Sequence, residues 1–363
     1  MRIRRWIGVL LALTAAAAAR AADVSVVAKL NEGPGNITVT RQDRVIVSLH
    51  QFYDMPMRVA EVKPDGRLAP YPNAQWNRGT TETAGLDSVL GIQCDRDGVV
   101  WMLDNGMRLG GVPKLVGWDS KADRLHRVIY LPPPLTVTGS FVNDLAVDAA
   151  RNIAYVSDPA GGADAALIVV DLKTGSARRV LQGHRSVVPE ADAELVIDGK
   201  PLRLQMPDGR MVSPRIGVNP IALDTTNKWL YFGPMHGRSM YRMRTEDLRS
   251  ARLAPDQLAA RVERYSDKPI CDGIAIDRAG NIYLGDLANN AVGVIGKDRK
   301  YRRFASDPRI SWADAFCFAP DGNLFFVSNQ LHKSARLNGG VMEAKPPFHI
   351  LSVKPPARGV TGR

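Results

Sequence analysis

The feature that most constrains the fold is a strand–turn–strand pattern that occurs six times along the chain. Each copy has an apolar strand, a turn of Asp, Gly or Asn, and a second apolar or aromatic strand. Gly, Asn and Asp accept positive φ values, so these turns suit tight hairpins. The copies occupy residues 36–50, 91–106, 143–158, 219–234, 272–286 and 314–329. One hairpin cannot bury both of its faces, so the copies must pack against one another.

Radial stacking of the copies around an axis buries those faces, which predicts an all-β fold, a six-bladed β-propeller. Most intervals leave room for two further strands after each strong pair, giving about four strands per blade. The interval between the third and fourth copies is longer. Its excess, residues 184–215, predicts an inserted hairpin turning at Asp198-Gly199 over one mouth of the channel. The best helical pattern is at 245–262, with Thr245 as the expected N-cap.

The two ends of the chain are expected to lie outside the propeller. Residues 1–21 have a basic start, a short apolar stretch and an Ala-Arg-Ala end, which predicts a cleaved signal peptide and a secreted or periplasmic protein. No later apolar run has the length of a membrane span, so no stable membrane insertion is expected. Residues 345–363 are Pro-rich and basic, and we interpret them as a tail. The propeller is therefore expected to occupy residues 22–344.

Composition argues against several other classes of protein. The net charge of +11 is spread along the chain, without the basic helix or aromatic-interleaved stripe of a nucleic-acid binder. Three cysteines are too few for a disulfide framework, and we expect buried thiols. No G-x-S-x-G nucleophile elbow is present. The sequence leaves the oligomeric state open.

Candidate site residues share one position in the repeat. The last residues before the six turns are Thr40, Asp95, Asp148, Asp224, Asp277 and Ala319. Five residues earlier, at the expected start of each inner strand, stand Gly35, Leu90, Asn143, Asn219, Asp272 and Asp314. Four of these six carry short oxygen-bearing side chains. Turn chemistry alone also favours Asn and Asp at strand ends, but convergent polar groups predict a binding site at one end of the channel.

Two chemistries suit such a ring. Carboxylate and amide oxygens are hard donors, which Ca²⁺ or Mg²⁺ prefers, whereas the six histidines lack the spacing of a zinc site. Alternatively, Asp272 and Asp314 pair with an amine-bearing ligand. The second strand of each copy returns to the same end of the channel and brings further Asp and Asn residues there, which we call the second ring. These residues either form turns or orient the residues of the first ring. The members of the second ring are Asp104, Asp158, Asp286 and Asn329.

These segments resemble the yellow/major royal jelly protein family, in order from about Glu32 to His332. The matching segments are 34–52, 88–106, 141–158, 219–235, 271–286 and 312–331. The resemblance implies a secreted six-bladed propeller. It also implies a function among those of the family, whose members include binders of biogenic amines and proteins linked to dopachrome conversion.

A more distant resemblance is to the regucalcin, gluconolactonase and paraoxonase propellers. It implies a central divalent metal held by one Glu, two Asn and one Asp. Asn143, Asn219 and Asp272 match three of these ligands, and Glu32 lies in a similar E-G-P motif. Glu32, however, stands eight residues before its turn rather than five, so Asp314 is the alternative fourth ligand.

The expected function is therefore binding of a small molecule at the channel mouth. One alternative is a divalent-metal-dependent hydrolase of lactones or esters, most simply with Ca²⁺. In that case Asp272 or Asp314 activates water or carries the proton. A dopachrome-like tautomerase is the other alternative, and whether the protein is an enzyme stays open.

Overall fold

The computed structural model describes residues 22–80, 84–206 and 208–363. Within these ranges there are six four-stranded antiparallel sheets and two small hairpins. The helices are two short segments. The six-bladed β-propeller predicted from the repeats is confirmed.

The strands follow the repeats, and the innermost strand of each blade is the first strand of its copy. Strand β1 (Val24–Leu30) precedes the first blade. Blade 1 has β2 (Pro34–Val39), β3 (Val45–Leu49), β4 (Val59–Val62) and β5 (Leu68–Pro70). Blade 2 has β6 (Val89–Cys94), β7 (Val99–Asp104), β8 (Lys114–Asp119) and β9 (Arg124–Tyr130). Blade 3 has β10 (Leu145–Asp148), β11 (Ile153–Asp158), β12 (Ala166–Asp171) and β13 (Ala177–Val180).

The insertion and the remaining blades follow. The inserted hairpins are β14 (Val196–Ile197) with β15 (Lys200–Pro201), and β16 (Leu204–Gln205) with β17 (Met211–Val212). Blade 4 has β18 (Val218–Leu223), β19 (Trp229–Pro234), β20 (Ser239–Arg244) and β21 (Glu263–Asp267), with helices α1 (Thr245–Arg249) and α2 (Pro255–Ala259) before its last strand. Blade 5 has β22 (Ile274–Ile276), β23 (Ile282–Asp286), β24 (Ala291–Ile295) and β25 (Tyr301–Ser306). Blade 6 has β26 (Ala313–Phe318), β27 (Leu324–Ser328) and β28 (Phe348–Val353).

The ring of blades is closed by strands from opposite ends of the sequence. Strand β1 pairs antiparallel with β28, from Val24 opposite Val353 to Leu30 opposite Phe348, and so becomes the outer strand of blade 6. The interpretation of residues 345–363 as a tail is therefore corrected. Its apolar residues 348–353 are buried as a strand between two others, and its prolines flank that strand.

The core is divided into six apolar clusters, and each lies between two neighbouring blades. The cluster between blades 6 and 1 also receives residues of the insertion, including Leu195 and Leu202. Each blade thus buries its two faces against its neighbours, as the repeat pattern requires.

Aspartates before the turns hold the hairpins together. The Asp95 carboxylate accepts hydrogen bonds from the backbone N–H of Val99 and the indole Nε1 of Trp101. In blade 5, Asp277 accepts equivalent bonds from the backbone of Asn281 and the hydroxyl of Tyr283. One aspartate therefore closes the turn and fixes the aromatic side chain of the returning strand, which explains why this residue type recurs.

The inserted hairpin forms at the predicted turn, whereas the predicted helix at 245–262 is divided into two. Hairpin β14–β15 turns at Asp198-Gly199, where both residues have positive φ. The pattern at 245–262 forms two short helices instead of one, because the residue before Pro255 disfavours helical backbone. The α1 N-cap is Arg244, since the Thr245 hydroxyl donates to the carbonyl of Asn227.

The prediction of a signal peptide concerns residues 1–21, which lie outside the described residues. Among the described residues, no helix is long and apolar enough to cross a membrane. The three cysteines are buried and unpaired.

Candidate functional site

A cavity of about 680 Å³ opens at one end of the propeller axis. The residues at the shared position of the repeat all line it: Gly35, Leu90, Asn143, Asn219, Asp272 and Asp314. The sequence offset therefore selects six side chains that the fold brings around one space, although they come from six different blades.

Regular strand pairing is interrupted at the six positions that line the cavity. The pairing of the two inner strands shifts register around four of the six positions, Gly35, Leu90, Asn219 and Asp314. Asn143 and Asp272 lie just before their strands begin. A β-bulge turns a side chain out of the sheet pattern, and here the bulges place this layer at the cavity wall.

Neighbouring blades are joined directly at this layer. The backbone N–H of Gly273 donates to the carbonyl of Asp314, 2.7 Å away, and that of Gly91 donates to Asn143, 2.8 Å away. A Cβ at Gly273 would lie 2.2 Å from the Asp314 carbonyl oxygen. Glycine is therefore required after Asp272 for the close approach of blades 5 and 6.

Asp272 is the most completely held carboxylate of the cavity. Its side chain is buried, and one oxygen accepts a hydrogen bond from the amide of Asn219. The other oxygen accepts from the indole Nε1 of Trp312 at 2.8 Å. Blades 4, 5 and 6 thus converge on one carboxylate.

Asp314 lies beside Asp272 and is held by a residue of the second ring. The Asn329 side-chain amide donates to Asp314 at 2.7 Å and to the carbonyl of Pro34 at 3.1 Å. Asn329 therefore orients a cavity carboxylate while it joins blades 6 and 1.

The other three members of the second ring have local roles. Asp104 accepts from the backbone N–H groups of Asp87 and Ser88. Asp158 accepts from Arg179, and Asp286 accepts from Asn289 and Tyr301. These three carboxylates stabilise the ends of their own blades, which agrees with the turn-forming alternative.

Sequence reasoning missed Asp144, a third carboxylate that lies just behind the cavity. It lines a narrow space of about 30 Å³ that continues along the axis, and the Asn36 amide donates to it at 3.3 Å. Asn36 lines both spaces. The available signal was the position of Asp144 directly after Asn143. Asn143 lines the cavity, and the next residue along the chain lines the narrow space behind it.

Burial perturbs all three carboxyl groups in the same direction. It raises the pKa of Asp272 to about 6, although hydrogen bonds from Trp312 and Asn219 lower it. It raises the pKa of Asp144 to about 7 against the backbone N–H of Leu145, and the charge of Asp272 adds to the effect. The pKa of Asp314 is raised by burial and by repulsion from Asp272. None of the three forms a salt bridge with a described Lys, Arg or His, so the group lacks a positive partner.

The walls of the cavity are largely apolar and aromatic. Phe52, Leu90, Phe141 and Trp312 line it from blades 1, 2, 3 and 6, respectively. His50 also lines the cavity. Burial lowers its pKa to about 3, with repulsion from Arg108 as a smaller cause, so the ring is neutral at physiological pH.

The opposite end of the channel is filled by residues 361–363. The carbonyl of Gly362 accepts from the Thr38 hydroxyl at 2.9 Å, and its N–H donates to Phe318. The Arg363 side chain donates to the carbonyl of Val147 and to Asn227. The carboxylates are therefore open to solvent from the mouth of the cavity.

Glu32 differs from the expectation for a metal ligand. It is not among the residues that line the cavity, and Gly35 stands at the corresponding position of blade 1. In the described ranges no group of three or more His, Cys, Asp or Glu side chains has metal-binding geometry. A divalent ion here would need the amide oxygens of Asn143 and Asn219 beside Asp272 and Asp314, a hard-oxygen set that suits Ca²⁺.

Fold and cavity together define a class: a six-bladed propeller with a ligand-sized pocket on its axis. The family model for major royal jelly protein matches residues 87–353, and the chain belongs to that family. It is 22% identical over 283 residues to Major royal jelly protein 7 of Apis mellifera, covering 75% of this chain and 59% of the relative. For Major royal jelly protein 5 of the same species the identity is 23%, over 74% of this chain and 43% of the relative. The chain thus spans about half the length of the curated relatives it matches.

Solved structures with the same fold include a gluconolactonase and a regucalcin. A gluconolactonase from Xanthomonas campestris has a TM-score of 0.56 at 13% identity, over 92% of this chain and 90% of the other. A regucalcin from Agrobacterium tumefaciens, described as a calcium-binding protein, has a TM-score of 0.56 at 14% identity, over 94% and 98%. At such identities the likeness shows the fold alone.

Proposed function

We propose that this protein binds a small organic cation, such as a primary amine, in the axial cavity. The observation that carries the proposal is a group of three desolvated carboxyl groups that has no positive partner among the described residues: the buried Asp272, the half-buried Asp314 and the half-buried Asp144 behind them. A buried negative charge is unfavourable unless it is paired. A ligand ammonium group at this place supplies the missing charge and donates hydrogen bonds.

The size and lining of the cavity favour an organic ligand over a bare ion. A volume of about 680 Å³ is in the range of small-molecule pockets. The aromatic side chains of Phe52, Phe141 and Trp312 line it. They offer apolar contact for the body of a ligand and ring faces for a cation.

Calorimetric titration with tyramine, tryptamine and dopamine tests the proposal. We expect saturable binding of at least one amine by the wild type. The isosteric changes Asp272→Asn and Asp314→Asn should weaken it by about tenfold to a hundredfold, because a hydrogen bond to a charged group contributes about 1.5–3 kcal/mol. The matched control is Asp298→Asn, an exposed carboxylate paired with Arg302 outside the cavity.

Two results would contradict the proposal. One is the absence of binding by all three amines. The other is binding that Asp272→Asn and Asp314→Asn leave as strong as Asp298→Asn does. Thermal unfolding gives an independent readout, since a ligand that binds only the folded state raises the melting temperature.

A divalent-metal-dependent hydrolase of lactones or esters is the second candidate. It is favoured by the hard-oxygen character of Asn143, Asn219, Asp272 and Asp314 and by the fold shared with gluconolactonase and regucalcin. A bound Ca²⁺ would polarise a lactone carbonyl. In this protein, Asp314 would then hold or move the proton, since burial and repulsion from Asp272 raise its pKa.

Titration of the protein with Ca²⁺ separates the two candidates. The hydrolase requires stoichiometric Ca²⁺ binding, its loss in Asn219→Ala, and lactone hydrolysis that depends on the metal. Binding of amines in the presence of EDTA, without Ca²⁺ binding, supports the organic cation instead.

The proposal includes export from the cytoplasm. Its support is the basic, apolar and small-residue pattern of residues 1–21, together with the start of β1 at Val24. Cleavage after Ala21 therefore leaves the closing strand of blade 6 intact. Mass spectrometry of the protein from an extracytoplasmic fraction should give a chain that starts at Ala22. A chain that keeps residues 1–21 in the cytoplasm would contradict export.

A further inference from the structure

Charge is separated between the two ends of the axial cavity. The carboxylates Asp272 and Asp314 line its base, where the inner strands of blades 5 and 6 begin. Two arginines line the same cavity from loops at its mouth: Arg215 from the insertion and Arg336 from the segment between β27 and β28. Both are exposed, and neither forms a salt bridge with a described acidic side chain. The cavity is therefore negative at its base and positive at its entrance.

Each of these arginines is fixed through one nitrogen and leaves the others available. Arg215 Nη1 donates to the carbonyls of Glu190 and Ala193 at 3.2 and 3.1 Å. Arg336 Nη1 donates to the carbonyl of Gln205 at 3.0 Å. The guanidinium group has five N–H donors in a planar fork. Several donors of each group therefore remain for an anion at the mouth, while the backbone contact holds the group in place.

A third arginine of the cavity is used differently. Arg108 directs its terminal nitrogens to the carbonyls of Met55 and Leu49, at 2.6 and 3.3 Å. Both terminal nitrogens are therefore held by the backbone of the loop around residues 49–55, and the half-buried Arg108 is a structural part of the cavity wall. Arg215 and Arg336, by contrast, are exposed at the mouth, and each is held through one nitrogen only.

We infer that the ligand carries an anionic group, most simply a carboxylate, at the end opposite its ammonium group. The inference rests on the proposed function, because it assigns the cation to Asp272 and Asp314. The ligand class is then zwitterionic: an ω-amino acid, whose ammonium and carboxylate groups are separated by an aromatic or aliphatic body. Its carboxylate accepts hydrogen bonds from Arg215, Arg336 or both, and its apolar body contacts Phe52 and Phe141.

Matched pairs of ligands test this inference. Benzylamine is compared with 4-(aminomethyl)benzoate, phenethylamine with 4-(2-aminoethyl)benzoate, and pentylamine with 6-aminohexanoate, so each pair differs only in the carboxylate at the end opposite the amine. We expect wild-type protein to bind the zwitterion of at least one pair up to about fivefold more tightly than the amine, since an accessible arginine–carboxylate pair contributes up to about 1 kcal/mol.

The variants Arg215→Gln and Arg336→Gln should remove this gain and leave amine affinity within about twofold of wild type. Arg210→Gln is the matched control, because Arg210 precedes β17 of the same insertion, pairs with Asp208 and does not line the cavity. It should change neither affinity. Raising the salt concentration should reduce the gain, because the arginines are exposed.

The outcomes distinguish this inference from the proposed function. If amines bind and every zwitterion binds equally or more weakly, the inference is overturned and the proposed function stands. If the zwitterion gain persists in the Arg215→Gln, Arg336→Gln double variant, the assignment to these arginines is wrong. If neither member of any pair binds, both the proposed function and the inference fail.

Discussion

Asp144→Asn is predicted to stabilise the protein at alkaline pH. Burial raises the pKa of Asp144 from 3.8 to about 7 in the folded protein. A carboxyl group with a raised folded-state pKa contributes stability that is present below pH 4 and is lost as the pH rises through about 7. At pH 8 the wild type therefore holds an unfavourable charge that asparagine lacks.

The magnitude follows from the size of the shift. About three pKa units at about 1.36 kcal/mol each give an upper limit of about 4 kcal/mol. Asparagine keeps an oxygen that can accept from the Leu145 N–H at 2.8 Å. Allowing for partial contact of Asp144 with the channel, we expect a gain of about 2–4 kcal/mol at pH 8 and almost none at pH 4.

Chemical denaturation at pH 4, 6 and 8 measures this difference. Asp158→Asn is the matched control, because Asp158 is a buried carboxylate that pairs with Arg179 at 2.6 Å. Removing one partner of a buried pair should destabilise the fold by about 3–5 kcal/mol. A gain for Asp144→Asn that is absent, or that does not grow between pH 4 and 8, would refute the claim that Asp144 is buried as an unpaired charge.

Three further outcomes follow from the cavity. Amine affinity should rise about tenfold from pH 5 to pH 8, because Asp272 has a pKa of about 6 and must ionise to pair with the ligand; calorimetry at three pH values checks this, and a flat profile would contradict it. Gly273→Ala should destabilise the protein by about 3 kcal/mol or more, since its Cβ would lie 2.2 Å from the Asp314 carbonyl oxygen. Urea denaturation measures the loss, and a variant as stable as wild type would refute the close approach. Asn329→Ala should cost about 2–3 kcal/mol by removing the bonds to Asp314 and Pro34, and an unchanged denaturation midpoint would show that these bonds contribute nothing.

The absence of a positive partner for the cavity carboxylates among the described residues has a consequence for stability. Asp144, Asp272 and Asp314 are held close together although each has a raised pKa. Such an arrangement lowers the stability of the empty protein, as is common for sites organised around a ligand. It is the reason why removing a charge is expected to increase stability at Asp144 and to weaken amine binding at Asp272 and Asp314.

Much of the site could be read from the repeat, and some of it could not. The offset of five residues selected Asn143, Asn219, Asp272 and Asp314, all of which line the cavity. The distant resemblance, not the offset, gave Glu32 a role as a ligand from its E-G-P motif, and Gly35 lines the cavity in blade 1 as the offset indicates. The motif is local, whereas the side chain that reaches the axis is decided by the β-bulge between Pro34 and Ile37.

The sequence by itself determined the number of blades and the layer of residues that surrounds the axis. Both depend on interactions within a hairpin, such as the bonds from Asp95 and Asp277 to their own turns, and these are encoded within a few residues. The tertiary structure alone decided the pairing of β1 with β28, the filling of the channel by residues 361–363, and the raised pKa of Asp144. These features arise when segments more than a hundred residues apart meet and exclude water. The pairing energy and the desolvation of a carboxylate therefore exist only after the ring of blades has closed.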